Sequence, residues 1–409
     1  MKIAVVSIGS FDVQYSDYHI MRDIVIALLE NGHQVVLIQK QYEEEPRYPQ
    51  QFIGYLGNQL HVFNIPFQRR NKANLKSRYL ADLQYYRQAC RLMKSNKPDK
   101  IFLQSNNTAF YTVFYAKWIL KRPLFYNEQD IFPENALFAG IIGLKSPIYL
   151  AAHLLQRYAY KNATALSTIS EDMKSTIVTR YNIPKSKVQV IYNWGHEELK
   201  AHSDKKNTFL QQYPKRQGEF RVVYAGNLGK MQNVELVLRS AVLLQGNKDI
   251  RFYIVGNGVN EEKLKKMAKE QSLNNIMFVP MQPPENVADL YAAADVNVIP
   301  LQENLIYAAL PSKMADCLLA AKPIITCVNK DSALAHLVKN YGIDNVEPDA
   351  EEELVQSILK IKENKDKTRY EELLAKQFNK DKSVHDYCVA IEQMELKKRT
   401  RHRTGKYNS

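Results

Sequence analysis

One alternation of short apolar runs and amphipathic segments occurs twice along this chain of 409 residues, and it leaves few folds open. The first series opens on "IAVVSI" (3–8), a run that reads as a strand buried on both faces. Residues 18–31 follow and place Ile20, Ile24, Ala27 and Leu28 on one helical face. "GHQVVLIQ" (32–39) is the next strand, with Gly32 suited to ending the helix before it. "KIFLQ" (100–104), "PLFYNE" (123–128), "ALSTIS" (165–170) and "VQVIYN" (188–193) read as further strands. A polar stretch at 196–219 interrupts the series, which restarts at "FRVVYAG" (220–226). It runs on through "IRFYIVGNG" (250–258), "NIMFVP" (275–280), "DVNVIPL" (295–301) and "PIITC" (323–327), with helices between.

Short apolar strands separated by helices require parallel sheets covered on both faces. The expected fold is therefore α/β, with two doubly wound, Rossmann-like domains facing a cleft. The first domain is expected over 1–195 and the linker over 196–219. The second spans 220–382, and 383–409 supplies a closing helix and a basic tail. Ligands of such sheets sit at the carboxyl ends of the strands.

Composition narrows the function classes. The four cysteines, Cys90, Cys317, Cys327 and Cys388, form no Cys-x-x-Cys pair, which argues against a zinc ribbon or a disulfide framework. No His-Glu-x-x-His and no Gly-x-Ser-x-Gly is present, so metal and serine hydrolases rank low and no metal or cofactor is expected. The N-terminal "MKIAVVSIGS" is too short an apolar run for a signal peptide and reads as a strand and turn. The stretch 137–155 is the most lipid-like, but Lys145, Ser146, Pro147 and His153 break it, so a surface-lying or half-buried helix fits better than a span. Net charge is +13, and its excess is concentrated in the first half and the tail. Residues 69–100 hold ten cations against two acids, among them Arg69, Arg70, Lys72 and Lys76. That bias suits an anionic membrane surface. Nucleic acid is not expected, because no recognised module or stacking platform accompanies the cations.

Three strand ends in the second half are candidate anion sites. "YAGNLGK" (224–230) sets Gly226 and Gly229 between a strand and a helix, where backbone N–H groups can face a phosphate. "VGNGVNEEKL" (255–264), with Gly256, is a weaker version. In "ALPSKMADCLLAAKPIITC" (309–327), Ser312 is placed to cap a helix, Lys313 adds a positive charge and Asp316 sits one turn in. In the first half, "YNEQDIFPEN" (126–135) gathers Glu128, Asp130 and Glu134 after a strand; they could act as acid or base, or simply cap the next helix in a solvated loop.

These segments, in this order, resemble the family 4 glycosyltransferases of the GT-B fold, in particular the retaining bacterial enzymes of capsule, O-antigen and exopolysaccharide assembly. The resemblance rests on the opening strand and its Gly9 turn, "NGHQVVLI", "NEQDIFPE", "LSTISEDMKSTIV", "VIYNW", "VVYAGNLGKMQNVELVL", "FYIVGNG", "NIMFVPMQPPENVADLYAAADVNVIPL" and "PSKMADCLLAAKPII". It implies a nucleotide-sugar donor, UDP-linked, held by the second domain. It further implies a lipid-linked (undecaprenyl-diphosphate) saccharide acceptor on the first, and a cytoplasmic location at the inner membrane face.

Position by position, the family's ribose-binding glutamate falls on Asp316, and its partner eight residues earlier falls on Ala308. The glycine of the family motif is Pro311, with Ser312 and Lys313 matching its capsule-type form. The family's diphosphate Arg and Lys fall on Asn227 and Gln232, leaving Lys230 and Lys313 to supply charge. Gly9, Gly226, Asn227, Lys230, Gly256, Met281, Ser312, Lys313 and Asp316 are thus the nucleotide-sugar candidates, with Met281 beside the base. The catalytic candidates are Gln129 (where the family has histidine), Asp130 and Lys230. A non-catalytic partner subunit and a sugar-nucleotide epimerase of related fold are the alternatives.

Overall fold

A computed structural model describes residues 1–11, 18–42, 48–67, 75–363 and 369–395. Arg69, Arg70, Lys72, the side chain of Lys76 and the tail 397–409, which carry much of the basic excess, lie outside the described residues.

The first sheet contains β1 (Lys2–Val6), β2 (Gln34–Gln41), β3 (Leu60–Pro66), β4 (Lys100–Gln104), β5 (Leu124–Glu128), β6 (Ala165–Thr168) and β7 (Val188–Val190). They lie in the order 3-2-1-4-5-6-7. The second sheet contains β8 (Phe220–Ala225), β9 (Ile250–Val255), β10 (Ile276–Val279), β11 (Val296–Pro300), β12 (Ile324–Cys327) and β13 (Asp344–Val346), in the order 10-9-8-11-12-13. Every pairing within the two sheets is parallel. The apolar runs read as two-sided strands are that: Ile3, Ala4, Val5 and Val6 are fully buried, between Val35–Ile38 on one side and Lys100–Leu103 on the other. The strand order reverses between β1 and β4, and again between β8 and β11. Such switch points are where ligands of these sheets sit.

Two strands are additions to the sequence reading, β3 and β13, and both are sheet edges. The stretch 196–219 is also more than a polar linker. Asn207 caps a short helix, Thr208–Gln212, by accepting from Leu210 N at 2.8 Å. The carboxylate of Asp289 then accepts from His202 N at 2.7 Å and Thr208 N at 2.8 Å, fastening the segment to the second domain.

The helix Lys380–Glu392 packs on the first domain. Tyr387 is buried edge-on against Phe102 and Phe125, Lys380 pairs with Asp23 at 3.0 Å, and Glu392 accepts from Asn31 at 3.0 Å and pairs with His33 at 2.8 Å. The two domains also meet along the cleft. Ile131 N donates to Ala308 O at 2.8 Å, and Asp130 bridges Ala309. Asp172 of the first domain accepts from Ala333 N at 2.7 Å and Leu334 N at 3.0 Å, capping a helix of the second.

Candidate active site

The exits of β8 and β9 form one tightly packed double turn. Gly226 has φ +139° and Gly256 φ +146°, a backbone region that side-chain-bearing residues rarely enter. A Cβ on Gly256 would stand 1.8 Å from Gly226 O, so only glycine allows the two exits to approach so closely. Leu228 N donates to Asn257 O at 2.7 Å and Asn260 N to Leu228 O at 2.9 Å, locking one turn on the other.

Into this turn comes Lys313. Its Nζ lies 4.1 Å from the centroid of the Tyr224 ring, and a Cβ on Gly226 would meet it at 2.7 Å. The residue keeps some exposure, but Nζ is sealed and has no hydrogen-bond partner. Burial pushes its pKa down to about 8, against a small opposing effect of Cys317. A buried ammonium held only by an aromatic face is a costly arrangement that an anion would relieve. Beside it, Gln232 Oε1 is also buried without a partner. Gln232 and Asn227 both crowd Gly229, so the two amides line the turn at the positions where the resembling family has cations. Lys230 opens the short 3₁₀ segment Lys230–Gln232 and is exposed, as is Met281 beyond β10.

Asp316 is already engaged. Its carboxylate accepts from His196 N at 2.9 Å and lies 3.1 Å from His196 Nδ1. Gly195 permits this approach, since a Cβ there would come within 2.9 Å of Asp316 Oδ1. The His196 ring rests on His19, centroids 3.8 Å apart. Burial works against a proton on His196, but the hydrogen bond and charge of Asp316 outweigh it and raise its pKa. His19 is pushed down to about 4, by burial first and by His196 second. It therefore stays neutral, with Nε2 donating to Trp194 O at 2.8 Å.

Several expectations need correction. Ser312 caps nothing: it has helical torsions (φ −57°, ψ −32°) and makes no capping bond with its side chain, whereas a cap residue is extended. Glu128 and Glu134 are not in a solvated loop. Both are buried, Glu128 bonded by Tyr160 Oη at 2.5 Å and Gln156 Nε2 at 2.7 Å, Glu134 by Tyr149 Oη at 3.0 Å and by the Tyr181 hydroxyl. Burial lifts Glu128 to about 8, although hydrogen bonds from Tyr160 and Ser105 oppose it.

Gln129 is a brace rather than an open amide. Its Nε2 donates to Asn127 Oδ1 at 2.9 Å, and its Oε1 accepts from Asn193 Nδ2 at 2.7 Å. Asp130 is exposed in the cleft, at the bridge to Ala309. Gly9 belongs to the first domain, at the β1 exit beside Ser7, Phe11 and Gln104, and so in a different domain from the other nucleotide-sugar candidates. Ala308 is fully buried. Tyr224 and His196 were missed; the tyrosine two residues before Gly226 was the one available signal. No group of three or more His, Cys, Asp or Glu side chains among the described residues is arranged to hold a metal.

Comparison with known proteins agrees with this architecture. Residues 19–194 match the model of the glycosyl transferase 4-like domain, and residues 205–377 that of the glycosyl transferases group 1. The chain is 28% identical over 286 residues to a Pseudomonas aeruginosa protein named "Probable glycosyltransferase WbjE", covering 68% of this chain and 70% of that one. WcaI of Escherichia coli (strain K12), named for colanic acid biosynthesis, is 26% identical over 236 residues, 56% of this chain and 58% of that protein. The fold of Anabaena HepE, solved with UDP and glucose, superposes with a TM-score of 0.69 at 14% identity, over 96% of this chain and 99% of that one. Two parallel domains in these orders, a buried and unpartnered lysine at the second switch region and two adjoining family matches have one reading: the chain belongs to the glycosyltransferases of the GT-B fold.

Proposed function

We propose that the protein transfers a sugar, with retention, from a UDP-linked donor to a lipid-linked saccharide acceptor in cell-surface polysaccharide assembly, at the inner face of the cell membrane. The observation that carries this reading is the sealed, unpartnered ammonium of Lys313 over Tyr224 at the Gly226 turn. The donor's diphosphate is the anion it would take. HepE, solved with UDP and glucose, and WcaI, named for colanic acid, support the donor and the pathway class. In the step, the bond from C1 to the diphosphate oxygen breaks and one from C1 to the acceptor hydroxyl forms. The hydroxyl proton passes to the departing diphosphate or to Asp130, the carboxylate exposed in the cleft, since Glu128 is buried and Gln129 is an amide. Lys313, once the turn that seals its tip admits the diphosphate, would neutralise the leaving charge, the largest catalytic contribution this site offers.

Incubation with UDP-sugars and an undecaprenyl-diphosphate-linked sugar should release UDP. If calorimetry detects no nucleotide binding and no pairing releases nucleotide, the proposal fails. Binding without release under any pairing would favour the non-catalytic subunit, a reading that the buried Ala308 at the missing carboxylate's position keeps open. Asp316→Ala should lower UDP affinity about 10- to 100-fold, the cost of a lost charge-assisted bond to the ribose. Unchanged affinity would assign Asp316 to holding His196 alone.

Lys313 also sets a pH dependence. With the free protein's ammonium titrating at about 8, affinity for the diphosphate should be flat below pH 8. Above it, affinity should fall by about tenfold per unit, with a proton taken up on binding. Calorimetry in buffers of different ionisation enthalpy reads that proton directly. Constant affinity between pH 7 and 9.5 would rule it out.

A further inference from the structure

The helix Pro147–Asn162 is inside out. Its inner face is polar: Tyr149 and His153 bond Glu134, while Gln156 and Tyr160 bond Glu128. Its outer face is aliphatic, with Ile148 67%, Leu150 53% and Leu154 63% exposed, and Ala151 and Leu155 between them. The turn before it adds exposed Ile141 and Leu144, and the neighbouring turn Tyr115–Leu120 adds exposed Trp118 and Ile119. Trp118 Nε1 donates to Tyr158 Oη at 3.0 Å, joining the two surfaces. A contiguous exposed apolar patch of this kind marks an interaction site.

The charge around the patch identifies the partner. Residues 109–127 and 135–170 contain Lys117, Lys121, Arg122, Lys145, Arg157 and Lys161 and not one acid. Lys117 lies 5.3 Å from the Trp118 ring, and Lys121, Arg122 and Lys145 are exposed at the edges. An aliphatic face rimmed only by cations, with a Trp–Tyr pair at its border, fits a monolayer of anionic lipid, where amphipathic helices lie flat and aromatic rings sit at headgroup level. No helix among the described residues is long and apolar enough to cross a membrane.

We propose that the outer face of Pro147–Asn162, with the Tyr115–Leu120 turn, docks the first domain on an anionic lipid surface. The proposal rests on the lipid-linked-acceptor reading for its purpose. The inner face of this helix clamps Glu128, whose next residues Gln129 and Asp130 border the cleft, so docking holds the acceptor side of the cleft at the membrane. It adds, to the electrostatic contact expected of the basic segment 69–100, an insertion surface that charge alone would not mark.

The test uses the full chain and vesicles of phosphatidylglycerol and phosphatidylcholine in equal parts, without any saccharide lipid. The wild type should sediment with these and far less with pure phosphatidylcholine. Ile148→Ser/Leu154→Ser should weaken binding about tenfold or more, with unfolding temperature and UDP affinity unchanged, since both side chains face water in the free protein. Equal sedimentation of variant and wild type overturns the proposal. So does a wild-type dimer that the variant converts to monomer, because the face would then be covered by a second copy. UDP binding without vesicle binding sinks the docking surface alone, and vesicle binding without UDP binding sinks the transferase alone.

Discussion

Lys313→Met should make the protein more stable and nearly unable to bind nucleotide. The lysine's pKa of about 8, against 10.5 for an exposed one, means that burial of its charge opposes folding by roughly 3 kcal/mol at pH 7. Loss of the Tyr224 cation–π contact returns about 1–2 kcal/mol, so a net gain of about 1–2 kcal/mol is expected. The sign follows from the depressed value. The unfolded chain holds this proton up to 10.5 and the folded one only up to about 8. The penalty is therefore complete below pH 8 and fades as pH rises to 10.5. The variant's advantage should shrink over the same interval. UDP affinity should fall roughly 100-fold with the loss of a desolvated charge-assisted bond. Urea unfolding at pH 7 and 10, with calorimetry on both proteins, separates the effects. A variant less stable than wild type at pH 7 would mean the ammonium is not held at a cost. Unchanged affinity would mean that it does not meet the diphosphate.

That trade between stability and binding was not legible in the sequence, for a physical reason. Lysine is usually exposed, and "PSK" alone marks a helix start; only the fold brings Tyr224 and Gly226, some ninety residues earlier, around its tip. What the residues did reveal were the elements whose burial is two-sided. The central strands of both sheets are continuous apolar runs because helices cover both faces. The missed strands β3 and β13 are edges with one neighbour each, so nothing forces such a run there.

The acids of 126–135 misled because their partners, among them Tyr149, Gln156, Tyr160 and Tyr181, arrive from 15 to 47 residues downstream. Ser312 misled because capping depends on torsion angles as well as on residue type. Helix 147–162 shows the limit most sharply. Periodicity identifies its apolar face, but which way that face points is decided by the buried carboxylates opposite.

Gly256→Ala should be severely damaging for a single added methyl. The φ of +146° at Gly256 is close to glycine-only backbone, and the new Cβ would lie 1.8 Å from Gly226 O, a backbone atom that cannot swing aside. Strain of about 1–3 kcal/mol is joined by whatever it costs to part the exits of β8 and β9, so a loss of about 4 kcal/mol or more is expected. Two controls isolate the cause. Gly218 has φ +74° with nothing within 4 Å of its Cβ, so Gly218→Ala should cost only about 1 kcal/mol of left-handed strain. Gly246 has open space and no positive φ, so Gly246→Ala should change stability little. Because Gly226 O is the atom displaced, Gly256→Ala should also weaken UDP binding in whatever fraction stays folded, as the Lys313 cradle shifts. Urea midpoints for the three variants decide it. If Gly256→Ala costs no more than Gly218→Ala, the exits are not in the contact described, and the lysine is not held where an arriving diphosphate would find it.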